Sequence, residues 1–203
     1  MLRHQTASFV EPIAIMTATE SRPALRARLK AERAAWLADT PAGHAAPAGL
    51  ARQLLALLDQ LEPMCLGLYW PLEGEFNAVQ ALLGHAWPEE APQLALPYCY
   101  RTPRRMDYRR WDGSEPAGVD EVGIAAPTGG VVVPDVVLAP CVGFTREGFR
   151  LGYGGGYFDR WLAEHPGVTT VGLAWSVGEA QFAVEAHDLP LGVILTEHDI
   201  IAP

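Results

Sequence analysis

The chain has 203 residues, 49% apolar and 19% charged, with a formal net charge of −9. That composition excludes a disordered chain, and the acidic balance excludes a general nucleic-acid binder, because phosphate contacts need a basic face. At ~150 residues per domain the length allows about one domain, and no apolar run approaches the ~20 residues of a membrane span.

Residues 1–20, interrupted by Glu11 and Pro12, are expected to form a disordered extension without a signal-peptide core, and Met16 is a second candidate start. A helix is predicted from Ser21, a candidate N-cap with Pro23 in the first turn. Leu25, Leu29 and Trp36 share one face of it, and Arg22, Arg26 and Arg33 lie along another. Gly43 to Pro47 predict a break. Leu50, Leu54, Leu57, Leu58 and Leu61 then mark a second helix, stopped by Pro63. A buried strand is expected over Met64–Trp70, a helix over Ala78–Ala86 and a strand over Leu94–Tyr100. A strong central strand begins near Val136, followed by a helix over Tyr157–Glu164 and strands over Thr169–Ala174 and Gly192–Leu195. This alternation predicts an α/β fold, a single domain over residues 21–203 with a largely parallel or mixed central sheet flanked by helices. Ligands of such sheets collect beyond the carboxyl ends of the strands. Cys65, Cys99 and Cys141 are odd in number and lack a CxxC spacing, so they read as reduced thiols of a cytoplasmic protein.

The stretch with most chemistry lies after the central strand. Five of the nine residues from Gly148 to Gly156 are glycine, which lets N–H groups converge and a phosphate approach the backbone. The loop leads into the predicted helix at Tyr157, whose N-terminus favours anions, and Arg150 can add a forked contact. It has neither the Lys-Ser/Thr ending of a P-loop nor the spacing of a dinucleotide fingerprint. Asp159, in the first helical turn, reads two ways: as a charge complementing the helix dipole, or as a carboxylate for Mg²⁺ beside phosphate oxygens.

The run Arg150-Leu151-Gly152-Tyr153-Gly154-Gly155-Gly156-Tyr157-Phe158-Asp159-Arg160 resembles the signature of the 5-formyltetrahydrofolate cyclo-ligase family. Weaker similarities run in the family's order: Arg22 to Arg26, Tyr69 to Glu75, Met106 to Trp111, Gly123-Ile124, Gln181, His187 to Pro190, and Leu195 to Glu197. The resemblance implies Mg²⁺- and ATP-dependent conversion of 5-formyltetrahydrofolate to 5,10-methenyltetrahydrofolate, with release of ADP and phosphate. It places Arg22, Arg26, Arg150 and the backbone from Leu151 to Phe158 (Gly152, Tyr153, Gly154, Gly155, Gly156 and Tyr157 between them) around ATP. Trp70, Glu75 and Tyr153 to Tyr157 would line the folate site, and Asp159 and Asp188 would hold the magnesium. It also implies a cytoplasmic monomer with neither nucleic-acid nor membrane partners. Bland alternatives stand beside these roles. Arg22 and Arg26 also suit a solvated helix face, Trp70 a core position, Glu75 a cap for the next helix, and Asp188 a polar turn.

Five positions depart from the family's usual pattern: Arg22, where lysine is common, Asn77, Ala126, Thr145 and Gly192. Thr145 and Ala126 are expected to loosen loops around the site, which leaves open a non-catalytic nucleotide- or folate-binding paralogue, or a related ATP-using enzyme with another substrate. Arg101, Arg104, Arg105, Arg109 and Arg110 form a basic cluster in an acidic chain. It reads either as a solvated strand pair or as an electrostatic trap for the anionic tail of a polyglutamylated folate.

Overall fold

In this computed structural model, which describes residues 20–203, Ser21 caps helix α1 (Arg22–Asp39), its side chain accepting from the Ala24 N–H. The extension expected over residues 1–20 and the start at Met16 lie outside the described residues, apart from Glu20, whose carboxylate accepts from Arg28. The break expected at Gly43–Pro47 is corrected. The chain turns at the extended Thr40 (φ −120°, ψ 141°), and α2 (Pro41–Leu61) runs through both residues. Thr40 Oγ1 accepts from the Gly43 N–H at 2.9 Å, and Pro41 opens the helix, where no N–H is needed. Gly43 also lets the helix approach the Trp36 carbonyl, which a Cβ would overlap. Pro47 falls in the second turn, so its missing N–H removes one bond near the helix start. Glu62, left-handed at φ 44°, ends α2 with its N–H returned to the Leu58 carbonyl.

The elements that follow are β1 (Cys65–Gly67), α3 (Ala78–Leu82), β2 (Gln93–Tyr100), β3 (Arg105–Trp111), β4 (Gly118–Val119), β5 (Ala125–Ala126), β6 (Val131–Val132), β7 (Val136–Pro140), β8 (Gly143–Phe144), β9 (Arg150–Leu151), α4 (Tyr157–Glu164), β10 (Thr169–Leu173), β11 (Val193–Leu195) and β12 (Ile200–Ile201). Helix α3 is shorter than expected because the chain leaves helical geometry at Leu83 and turns at Gly84 (φ 77°). Eight strands form one mixed sheet in the order β12-β11-β10-β7-β1-β2-β3-β6. Strands β11, β10, β7, β1 and β2 run parallel, and antiparallel partners close both sides. Strand β7 lies between β1 and β10 and is buried at all five residues, which is why it is a continuous apolar run. On one face Leu50, Leu54 and Leu58 of α2 pack against Leu66, Leu96, Leu138 and Leu195. On the other, Trp161 and Leu162 of α4 pack with Tyr108, Val137, Ala139 and Ile194. The α/β class and the flanking helices follow the expectation, and the sheet is mixed.

One local expectation changes. The glycine loop does not follow the central strand directly, because β8 and β9 pair as an antiparallel hairpin between them. Gly148 belongs to that hairpin's turn: it sits at φ 87°, its N–H donates to the Thr145 carbonyl, and a Cβ there would lie 2.8 Å from Pro203. The loop that faces the site is therefore Gly152 to Gly156.

Candidate active site

A cavity of about 970 Å³ opens beyond the carboxyl ends of the parallel strands. Tyr69 and Trp70 follow β1, Pro140 ends β7 and Arg104 follows β2; the start of α1, the glycine loop and residues 185–189 complete the walls. Arg22, Arg26, Trp70, Glu75, each residue from Arg150 to Asp159, and Asp188 all line this one space. Residues separated by more than 160 positions in the chain thus meet here. Trp70 is half-buried and stands edge-on to Trp111 at 6.3 Å, so it packs and lines the cavity at once.

The glycine loop is held by its carbonyls. Arg26 Nε donates to the Gly152 carbonyl at 2.7 Å, and Arg160 Nη1 donates to the carbonyls of Gly155 and Gly156, each at 2.9 Å. Among the described residues, the N–H groups from Tyr153 to Phe158 have no protein partner. Gly154 and Gly156 take φ of 92° and 63°, a conformation that any side chain would strain, and Gly156 N-caps α4. Acceptors tied down by two arginines and donors left open at a helix start make an anion cradle.

Two ion pairs cross the cavity wall. Arg150, with its side chain 5% exposed, donates to Asp159 Oδ1 at 2.6 Å, and Phe158 lies 5.2 Å from its guanidinium carbon. Arg22 reaches both oxygens of Asp188, at 3.3 and 2.5 Å. Burial alone would raise the Asp188 carboxyl, but the Arg22 guanidinium and the Glu185 N–H hold it below the usual carboxylate range. As for magnesium, no group of three or more His, Cys, Asp or Glu side chains that could hold a metal occurs among the described residues. Magnesium commonly needs only one or two carboxylates, the remaining positions going to phosphate oxygens and water. Asp159 fits that demand, since among the described residues only its Oδ1 has a partner, whereas both Asp188 oxygens are shared with Arg22.

Glu75 forms the other side of the site. Its Oε2 accepts from the Leu72 N–H at 2.7 Å, and its Oε1 is buried without a hydrogen-bond partner among the described residues. Burial pushes the carboxyl above its usual range; the Leu72 N–H, the Tyr153 hydroxyl and the Arg33 and Lys30 charges offset only part of this. Burial, reinforced by the Glu75 charge, pushes Tyr153 up to about 12. Glu75 does not cap the next helix: Asn77 does, its Oδ1 accepting from the Gln80 N–H at 2.9 Å.

Arg160 is the clearest residue that sequence reasoning assigned no role, although it stands four residues after Gly156, the spacing that brings a helical side chain back to the cap. The basic cluster divides. Arg101 is tied to Glu121, Arg105 pairs with Asp107 at 2.7 Å and lies 3.7 Å over the Tyr100 ring, and Arg109 lies 3.7 Å over Tyr98. Only Arg104 lines the cavity, and it makes no ion pair with a described residue. Of the five departures from the family pattern, Arg22 lines the cavity and the other four stand outside its lining. Asn77 caps α3, Ala126 pairs with Gly118, Thr145 is buried in the β8–β9 hairpin, and the Gly192 N–H donates to Thr170.

A mixed α/β sheet with a cavity at its carboxyl edge, walled by an arginine-clamped glycine loop and the half-buried Glu75, offers donors suited to an anion beside an acceptor suited to a polar group. The model of the 5-formyltetrahydrofolate cyclo-ligase family matches residues 18–197. The chain belongs to that family, and so is an enzyme of the ligase class. It is 29% identical over 162 residues to the 5-formyltetrahydrofolate cyclo-ligase of Haemophilus influenzae, covering 75% of this chain and 86% of that one. A shorter match, 32% over 93 residues, covers 43% of this chain and 44% of the cyclo-ligase of Mus musculus. The 5,10-methenyltetrahydrofolate synthetase of Mycoplasma pneumoniae superposes with a TM-score of 0.67 at 20% identity, covering 88% of this chain and all of that one. That of Aquifex aeolicus gives 0.66 at 26% identity, covering 89% and 92%.

Proposed function

We propose that the chain converts 5-formyltetrahydrofolate and ATP to 5,10-methenyltetrahydrofolate, ADP and phosphate. The observation that carries this reading is the meeting of two unlike walls in one cavity: open N–H groups from Tyr153 to Phe158 on one side, a buried carboxylate at Glu75 on the other. The formyl oxygen takes the terminal phosphoryl group as its bond to ADP breaks. N10 then attacks the formyl carbon and loses its proton, and the carbon–oxygen bond to phosphate breaks. Such chemistry asks the protein for positioning and charge neutralisation more than for a side-chain nucleophile. Arg22, Arg26, Arg150 and the glycine loop bind and orient the phosphates. Glu75 accepts hydrogen bonds from the amino and N–H groups of the pterin, a role suited to a buried oxygen without a partner, and Trp70 offers an aromatic surface for the ring. Asp159, with one oxygen open, would hold the magnesium, which neutralises phosphate charge when bound; Asp188, the other expected ligand, would have to share oxygens that Arg22 already engages.

The test is direct. Protein incubated with Mg-ATP and 5-formyltetrahydrofolate produces methenyl product, followed by its ultraviolet absorbance. Binding of folate without product at high enzyme concentration would instead indicate a non-catalytic paralogue.

Arg104 carries a narrower expectation about the folate's tail. We expect Arg104→Gln to reduce the preference for polyglutamyl over monoglutamyl substrate about two- to fivefold, the range of an exposed charge contact. Arg105→Gln, removing a guanidinium already paired with Asp107, leaves the preference unchanged. Equal KM ratios in wild type and Arg104→Gln would remove Arg104 from tail binding.

A further inference from the structure

We propose that Arg33 is a positioning residue for this reaction, holding Glu75 and Tyr153 in register across the cavity; the inference rests on the folate reading above. Arg33 lies eleven residues after Arg22 on α1 and is only 4% exposed, yet it is not part of the cavity lining. Its Nη2 donates to the Glu73 carbonyl at 2.9 Å and to the Tyr153 hydroxyl at 3.2 Å. One guanidinium thus joins the loop that carries Glu75 to the loop that offers N–H groups to phosphate.

Arg33 is not the sole support of the Glu75 loop. Trp175 Nε1 donates to the Gly74 carbonyl and the Tyr69 hydroxyl to the Phe76 carbonyl, both at 2.8 Å. Of these three donors, only Arg33 also reaches the glycine loop. The fit is close: Gly74 is left-handed at φ 74°, and a Cβ on it would lie 3.0 Å from Arg33 Nε. A buried cation is costly unless an opposite charge answers it. Arg33 makes no ion pair with a described residue, and its fixed neighbours are a carbonyl and a phenol that itself faces Glu75. Glu75, across Tyr153, feels that charge: Arg33 lowers its titration, though by less than burial raises it.

The charged and titratable groups facing Glu75 are Arg33 and Lys30 from α1, Tyr153 from the glycine loop, Tyr69 beyond β1 and Cys141 beyond β7. Arg33 is the buried cation among them, so its removal shifts the Glu75 titration to higher pH.

The experiment compares wild type, Arg33→Met and Arg33→Lys in steady-state kinetics and in carboxyl carbon-13 NMR titrations without substrate, with the Glu75 signal assigned by its loss in Glu75→Gln. Arg33→Met is expected to raise the KM for 5-formyltetrahydrofolate about tenfold or more while the KM for ATP stays within about threefold, and to move the Glu75 titration upward. Arg33→Lys keeps the charge on a side chain one bond shorter, which pulls the ammonium back from the position of Nη2; its titration stays near wild type and its folate KM rises by about threefold. If Arg33→Met does not fold, the folate-selective rise in Arg33→Lys decides. A folded Arg33→Met with wild-type folate KM and an unmoved Glu75 titration overturns the assignment, as does an equal rise in both KM values in either variant. Should wild type fail to turn over, the functional reading falls, and the NMR titration still decides whether Arg33 governs Glu75.

Discussion

Asp159→Asn is expected to lower turnover roughly 10³-fold or more while leaving the protein folded, whereas Asp159→Ala loses stability as well. The difference follows from Arg150. Its side chain is 5% exposed and, among the described residues, its one carboxylate partner is Asp159 Oδ1 and its buried Nε has no hydrogen-bond partner. Removing the acceptor altogether leaves an uncompensated buried cation, a loss of about 3–5 kcal/mol in comparable pairs. Asparagine keeps an oxygen for Arg150 and the first-turn position on α4, so the fold retains its contact while the site loses the negative charge. Thermal unfolding and Mg²⁺-dependent single-turnover rates on the two variants separate the roles. A wild-type rate in Asp159→Asn sinks the metal assignment. An unchanged melting temperature in Asp159→Ala sinks the structural role of the pair.

Much of the scaffold around that pair is legible in the chain itself. The Ser21 cap, the apolar run of β7 and the α4 span at Tyr157–Glu164 all follow from local chemistry: a hydroxyl before a proline, a strand buried on both faces, a glycine run ending at an aromatic. Two local misreadings have local causes. Gly43 and Pro47 look like breakers, but Thr40 and Pro41 supply a better helix start a few residues earlier, and Gly43 is required for contact with the Trp36 carbonyl. Gly148 looks like part of the cradle because a two-stranded hairpin as short as β8–β9 has too little alternation to announce itself. What the sequence hides is of another kind. Arg33, Glu75 and Tyr153 are separated by tens of positions, and nothing in their spacing foretells that one guanidinium meets the loops of the other two. The same holds for the division of the basic cluster, where strand register ties Arg105 to Asp107 and Tyr100 and leaves Arg104 facing the cavity.

The cavity concentrates arginines in an acidic protein, and most are already engaged by the protein. Arg22 and Arg150 hold carboxylates, and Arg26 and Arg160 hold loop carbonyls. These contacts fix the guanidinium groups before any anion arrives, which reduces the ordering cost of binding. Of the five departures from the family pattern, Arg22 belongs to this arrangement and keeps a guanidinium on Asp188, and the other four have structural contacts away from the lining. Thr145 and Ala126 stand one step from the lining: Ala126 follows Ala125, and the Thr145 N–H donates to the Phe149 carbonyl beside Arg150.

Glu75→Gln is expected to make the protein more stable at neutral pH and less able to hold its folate substrate. Burial raises the Glu75 carboxyl above its usual range, so between the ordinary carboxylate value and the raised one the folded chain binds more protons than the unfolded chain. The stability this group contributes is therefore present at low pH and lost as pH rises through its folded titration. Above that point a fixed penalty remains, because Oε1 is a buried charged oxygen without a partner. Glutamine keeps the acceptor for the Leu72 N–H and carries no charge, so it removes the penalty; the gain is on the order of 1 kcal/mol, a few degrees in Tm. That gain shrinks as wild type and variant are compared at progressively lower pH, where Glu75 is itself neutral. The functional loss runs the other way. A carboxylate accepting from the pterin's amino and N–H groups makes charge-assisted bonds, and their loss raises the folate KM by roughly 10- to 100-fold. Melting curves from acid to neutral pH, beside steady-state kinetics, check both halves. Lower stability of Glu75→Gln at neutral pH would mean that Oε1 is adequately solvated. An unchanged folate KM would place the pterin elsewhere in the cavity.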